Sequence, residues 1–99
     1  MLVVFVVALS LTAFDRAFSQ AVTGQVTRAN GQPVPGCLVS IVNQSARSSP
    51  AITDAFGRYY FNFIPVGTYF IEVYWGQTLL YRNYFTVQGN VQLNPIVLP

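Results

Sequence analysis

From residue 22 onward the chain alternates between apolar and polar positions with a period of two, the signature of half-buried strands. Residues 22–28 alternate, with Gly24 inside the run. Asn30-Gly31 is a strong turn signal. Pro33 and Pro35 flank Val34, and Gly36 follows, so this stretch is extended yet unable to pair fully. Residues 37–42 place Cys37, Val39 and Ile41 on one face, and residues 43–50 form a polar, serine-rich loop. Extended structure resumes at Ile52-Thr53. A turn follows over residues 54–57, where Asp54 can bond nearby amides and Gly57 can take positive φ. Residues 58–63 set Tyr59, Phe61 and Phe63 on a core face, with Tyr60 and Asn62 opposite. Pro65-Val66-Gly67 turns the chain. Residues 68–74 point Tyr69, Ile71 and Val73 inward and Phe70, Glu72 and Tyr74 outward. After a bend at residues 75–77, residues 79–87 and 91–98 complete the set, separated by Gly89-Asn90. Pro95 fits an edge strand or a bulge.

Several short strands with turn signals about every 8–12 residues, and no helical period after residue 20, predict an all-β fold, a sandwich or barrel. The first 20 residues differ. Residues 2–14 are apolar, broken only by Ser10 and Thr12, and are shorter than the roughly 20 residues a membrane-spanning helix needs. Small residues follow at signal-peptidase spacing, either Ala17 and Ser19 or Ser19 and Ala21. The expected organisation is a signal-peptide helix over residues 1–20 and one β domain over residues 21–99. The protein is then secreted, periplasmic or otherwise extracytoplasmic. Membrane contact would come only through the signal segment, if it stays uncleaved.

Composition removes most chemistry. The 99 residues include no histidine, and all five basic residues are arginines. A Ser-His-Asp or Cys-His pair is therefore impossible. The acids are Asp15, Asp54 and Glu72, too few and too scattered for a metal site or a glycosidase pair. Cys37 stands alone, so no internal disulfide forms, and it reads as a small buried apolar residue. The net charge of +2 has no basic cluster behind it, which argues against nucleic acid. No glycine-rich loop opens onto a helix, so nucleotide binding has no support. The expectation is no enzyme, no catalytic residue, no metal and no cofactor. Glu72 is expected in a surface ion pair with Arg58 or Arg82, worth about 0–1 kcal/mol.

Four short motifs occur in order. Gly24-Gln25-Val26 precedes the run from Gly31 through Gln32, Pro33, Val34, Pro35, Gly36, Cys37 and Leu38 to Val39. Next come Thr53-Asp54-Ala55-Phe56-Gly57-Arg58-Tyr59 and Ile64-Pro65-Val66-Gly67-Thr68-Tyr69. This succession resembles the carboxypeptidase regulatory-like domain, related to transthyretin-like domains and to B-type repeats of collagen adhesins. The resemblance runs over residues 21–99. It implies a prealbumin-like (Ig-like) antiparallel β-sandwich of about seven strands and an accessory, non-enzymatic role. Transthyretin-like folds also include a purine-pathway hydrolase whose chemistry depends on histidines, which are missing here. Some adhesin repeats carry a Lys–Asn isopeptide link, and this chain has no lysine. Asp54, Gly57 and Gly67 are expected to be structural turn residues.

Past residue 20 every aromatic lies between Phe56 and Phe85. Tyr60, Phe70, Tyr74 and Tyr84 fall on the outward positions of strands expected to be neighbours, with Trp75 ending the row. These five residues are the candidate interaction patch. It would stiffen the sheet or mediate self-association, bind a protein partner, or stack on carbohydrate. The expected function is a non-catalytic exported module for protein interaction or structural support, with carbohydrate binding as the alternative.

Overall fold

Eight strand segments and no helix form among residues 20–99, the residues that the structure, a computed structural model, describes. The signal segment expected over residues 1–20 lies outside that range except for Gln20. In chain order the segments are β1 (Val22–Arg28), β2 (Leu38–Val42), β3 (Ala51–Ile52), β4 (Arg58–Phe61), β5 (Gly67–Trp75), β6 (Thr78–Val87), β7 (Val91–Gln92) and β8 (Ile96–Leu98).

They build two sheets. In the first, β1 pairs antiparallel with β4 on one side. On its other side β1 pairs in parallel with β7 through its first half and with β8 through its second. The second sheet runs β3-β2-β5-β6, antiparallel throughout. The inward positions of both sheets meet in one core: Val22 and Val26 from β1, Val39 and Ile41 from β2, Tyr59 and Phe61 from β4, Tyr69, Ile71 and Val73 from β5, and Ile96 and Leu98 from β8. The protein is thus an all-β sandwich. The strand expected over residues 91–98 is interrupted: Leu93 still bonds Thr23 O (2.9 Å), whereas Pro95 has no N–H to give, and pairing resumes only at Ile96.

Two local devices hold the layers in place. Gly24 faces Tyr59 across β1–β4, and a Cβ there would overlap the Tyr59 ring and hydroxyl. A residue with no side chain thus makes room for a buried aromatic. Thr53 is the second. Its hydroxyl accepts from Cys37 N (2.9 Å) and donates to Val34 O (2.7 Å), and its backbone N bonds Cys37 O (2.9 Å). The Pro33–Cys37 stretch, which cannot pair as an ordinary strand, obtains its hydrogen bonds from Thr53, including Gly36 N to Thr53 O (3.0 Å), and from β1, where Val34 N bonds Val26 O (3.0 Å). Cys37 is fully buried and free, and burial raises its thiol pKa, as expected of an apolar core residue.

Phe63 departs from the sequence reading. Its φ is +59° and its ring is exposed rather than in the core. β4 stops at Phe61, and the left-handed residue lets the chain turn so that Ile64, not Phe63, points inward and bonds Gln20 O (3.0 Å).

Candidate functional site

The five aromatics of the expected patch do not share one surface. Tyr60 lies on β4, in the first sheet, and is exposed on that sheet's outer face. Phe70 and Tyr74 lie on β5 and Tyr84 on β6, in the second sheet. β4 and β5 are consecutive in sequence, but the connection at residues 62–66 carries the chain from one sheet to the other. Their outward positions therefore face opposite directions. Trp75 leaves the row as well. A register irregularity between Val73 and Tyr74 precedes it, and its ring lies beside Gly36 at the sandwich end, 3.6 Å from where a Cβ would be.

What remains on the second sheet is a connected cluster around Glu72. Glu72 sits mid-strand on the outer face between Ser40 of β2 and Arg82 of β6, yet is only 6% exposed. Arg47 and Arg82 close over it from opposite sides, at 2.9 Å to Oε1 and 3.2 Å to Oε2. The Tyr74 hydroxyl donates to Oε1 at 2.9 Å. Burial alone would raise the Glu72 pKa, but the Tyr74 and Arg47 hydrogen bonds and the two guanidinium charges outweigh it and hold it below the ordinary glutamate range. Of the two partners expected from sequence, Arg82 is present and Arg58 is not. Arg58 belongs to β4 and its guanidinium lies over the Phe56 ring, 5.5 Å from the centroid. Arg47 takes that role because loop 43–50 folds back on β2: Ile41 N bonds Ser48 Oγ (2.9 Å) and Ser48 N bonds Ile41 O (2.8 Å). Arg47 carried no sequence signal, since a loop has no period that fixes its side-chain direction.

The cluster continues into the aromatics. The Arg82 guanidinium carbon stands 3.9 Å above the Phe70 ring centroid, a cation–π contact. Phe70 in turn meets Tyr84 edge-to-face, 6.3 Å between centroids and 81° between planes. Tyr84 is 69% exposed. Two rings at that angle form no flat platform for sugar stacking, and the arginines outnumber the carboxylate. A groove of about 550 Å³ runs beside them, lined by Asn43, Gln44, Ser45, Thr68, Phe70, Arg82 and Tyr84 among others.

A second groove, of about 780 Å³, reaches the outer face of the first sheet, where Thr23, Gln25, Arg58, Tyr60 and Gln92 are among its lining residues. Asp54 borders it, but its Oδ1 accepts from Phe56 N and Arg58 N, both 2.9 Å. Gly57 completes that turn at φ +75°, packed so tightly that a Cβ would meet Val26 O and Val34 N. Gly67 begins β5 after the turn at residues 65–66. Asp54, in the connection from β3 to β4, and Glu72, in the middle of β5, are each tied into their own hydrogen bonds. Among the described residues no three of His, Cys, Asp and Glu gather in one place.

A family model described as the carboxypeptidase regulatory-like domain matches residues 21–95. No curated protein matches the chain by sequence. Among solved structures, the fold is similar to the Bacillus anthracis TIE protein (TM-score 0.65, 10% identity), over 81% of this chain and 16% of that one. It is also similar to Klebsiella pneumoniae 5-hydroxyisourate hydrolase (TM-score 0.60, 18% identity), over 80% and 85% of the two chains. A candidate carbohydrate-binding protein from Pseudomonas aeruginosa matches with TM-score 0.55 and 17% identity, over 84% and 89%. At these identities the likeness concerns the fold, and this chain spans only 16% of the length of the Bacillus protein.

Proposed function

Because the chain belongs to the carboxypeptidase regulatory-like domain family, we propose that it is an exported, non-catalytic module that contacts protein through the outer face and free edge of β5–β6. The observation that carries this reading is the edge strand itself. β6 is ten residues long and terminates its sheet, and its outer face presents Tyr84 beside an arginine-rich cluster. The absence of histidine, together with carboxylates engaged in hydrogen bonds and ion pairs, supports a role without turnover. The test compares the purified chain with a Phe70→Ser/Tyr84→Ser variant for retention of defined envelope or medium proteins. Loss of a retained protein in the variant is expected. Unchanged retention, or turnover in a hydrolase screen, would count against the reading.

A second reading rests on the first sheet. Tyr60 is accompanied by Gln25, Gln92 and Thr23 along a groove of about 780 Å³, the combination of an aromatic face with amides and a hydroxyl that suits sugar rings. The structural likeness to the Pseudomonas candidate carbohydrate-binding protein supports it. Retention on polysaccharide that is lost in Tyr60→Ala is the expected result on this reading, and no retention by the wild type rejects it.

A further inference from the structure

The sandwich has four lateral edges, and three of them are blunted. β3 is two residues long and β4 four. The β7–β8 edge is broken at Asn94 and Pro95. β6 is different. It contains no proline and no lysine, and its one charge, Arg82, is drawn over the sheet face by Glu72 and Phe70 rather than held along the edge. Open edges of this length are ordinarily guarded or covered, because they template pairing with another strand. The first residues of β6 are less free: Thr78 and Leu80 line a small cavity with Leu98 and Pro99. Val87 at the other end is fully buried, so the open part is Tyr81 to Thr86. Within it the Tyr84 N–H is satisfied by the neighbouring Asn83 Oδ1 (2.9 Å), a local substitute for a strand partner.

We propose that the strand covering this edge is β6 of a second copy of this chain, running antiparallel with the two-fold axis at Asn83. This rests on the reading of β6 as the contact edge and names its occupant. Side chains in such a pair must meet on matching faces, so the axis has to pass through a residue. An axis at Arg82 sets two arginines directly opposite each other, a destabilising like-charge pair. An axis at Asn83 sets Arg82 opposite the partner's Tyr84 and Tyr81 opposite the partner's Phe85, each contact occurring twice. Every cross-strand pair from Tyr81 to Phe85 is then cation–aromatic, aromatic–aromatic or amide–amide, the classes that stabilise neighbouring strands. The single Asn83–Tyr84 bond would be exchanged for interstrand bonds.

The test is made on the purified chain. Sedimentation velocity is expected to show a concentration-dependent dimer. Asn83→Lys places like charges at the axis and is expected to weaken the dimer by at least about tenfold, with an unchanged circular-dichroism spectrum showing that the fold is intact. Asn83→Cys is expected to yield a disulfide-linked dimer on mild oxidation. Thr68→Cys, exposed on β5 away from the edge, forms no disulfide-linked dimer under the same oxidation, and native Cys37 is buried. A chain that is monomeric at every concentration overturns the proposal. So does a dimer that is indifferent to Asn83→Lys, or one that cross-links through Tyr84→Cys and not Asn83→Cys. A monomer that still retains another protein through Phe70 and Tyr84 would sink self-pairing and leave the module reading standing. Turnover by a β6-paired dimer would do the reverse.

Discussion

Replacing Gly24 by alanine adds one methyl group at the tightest point of the core. The new Cβ would run into the Tyr59 hydroxyl and ring, with ring Cε2 only 2.8 Å away. Tyr59 cannot retreat easily: it is 3% exposed and packs edge-on to Phe61, 6.1 Å between centroids. Overpacking of this kind costs about 2–3 kcal/mol. Removing glycine's excess unfolded-state freedom returns roughly 0.5–1 kcal/mol. The net loss is about 1–2.5 kcal/mol, or on the order of 10 °C in Tm for a domain of this size. The Tyr59 hydroxyl has no hydrogen-bond partner, and burial pushes its pKa well up. Tyr59→Phe alone is therefore expected to stabilise by about 1 kcal/mol, because it removes an unsatisfied buried group. In the double variant the clash with the hydroxyl disappears and the clash with the ring remains. The two changes should couple favourably by about 1 kcal/mol without full rescue. Urea unfolding followed by far-ultraviolet circular dichroism measures all four corners of the cycle. A neutral Gly24→Ala, or a Tyr59→Phe that destabilises by more than about 1 kcal/mol, would refute the reasoning.

Glu72→Gln is expected to cost about 1–2 kcal/mol at neutral pH, below the full value for a buried charged network because both arginines can return to water. Its pH dependence has a definite sign: a lowered native pKa gives stability that is complete above the unfolded glutamate value and lost as pH falls through the native one. Wild type should therefore converge on Glu72→Gln as pH falls below about 5 and through the lowered native value, as read from urea midpoints. Thr53→Val leaves Cys37 N without its Thr53 hydroxyl acceptor and Val34 O without its donor, and should destabilise by about 2–4 kcal/mol in the same assay. Phe63→Gly relieves a left-handed conformation on an exposed residue and is expected to be neutral or to stabilise by up to about 1 kcal/mol; a loss above that would mean the ring holds the turn.

Much of the fold was legible because strand periodicity is a local signal. Val22, Val26, Val39, Ile41, Ile71 and Val73 all lie in the core where alternation places them. The turn at Asp54 and Gly57 was equally readable, since an Asx side chain and a positive-φ glycine are local requirements. Which strands share a sheet is not local. Tyr60 and Phe70 lie ten positions apart with the same outward parity, and only the crossover between β4 and β5 separates them into opposite faces. The Glu72 cluster was half visible: Arg82 follows from hairpin register, whereas Arg47 depends on how an aperiodic loop folds back. Phe63 was misread because a left-handed residue breaks alternation without changing composition.

Pairing of the β6 edge with β6 of a second copy is the central claim. Amide hydrogen exchange across Thr78–Val87, measured on dilute and on concentrated samples of the purified chain, tests this directly. Slowed exchange confined to the open half of that strand as concentration rises is the result expected. Equally fast exchange in both samples, with protection arising instead around Tyr60 or nowhere, would contradict it.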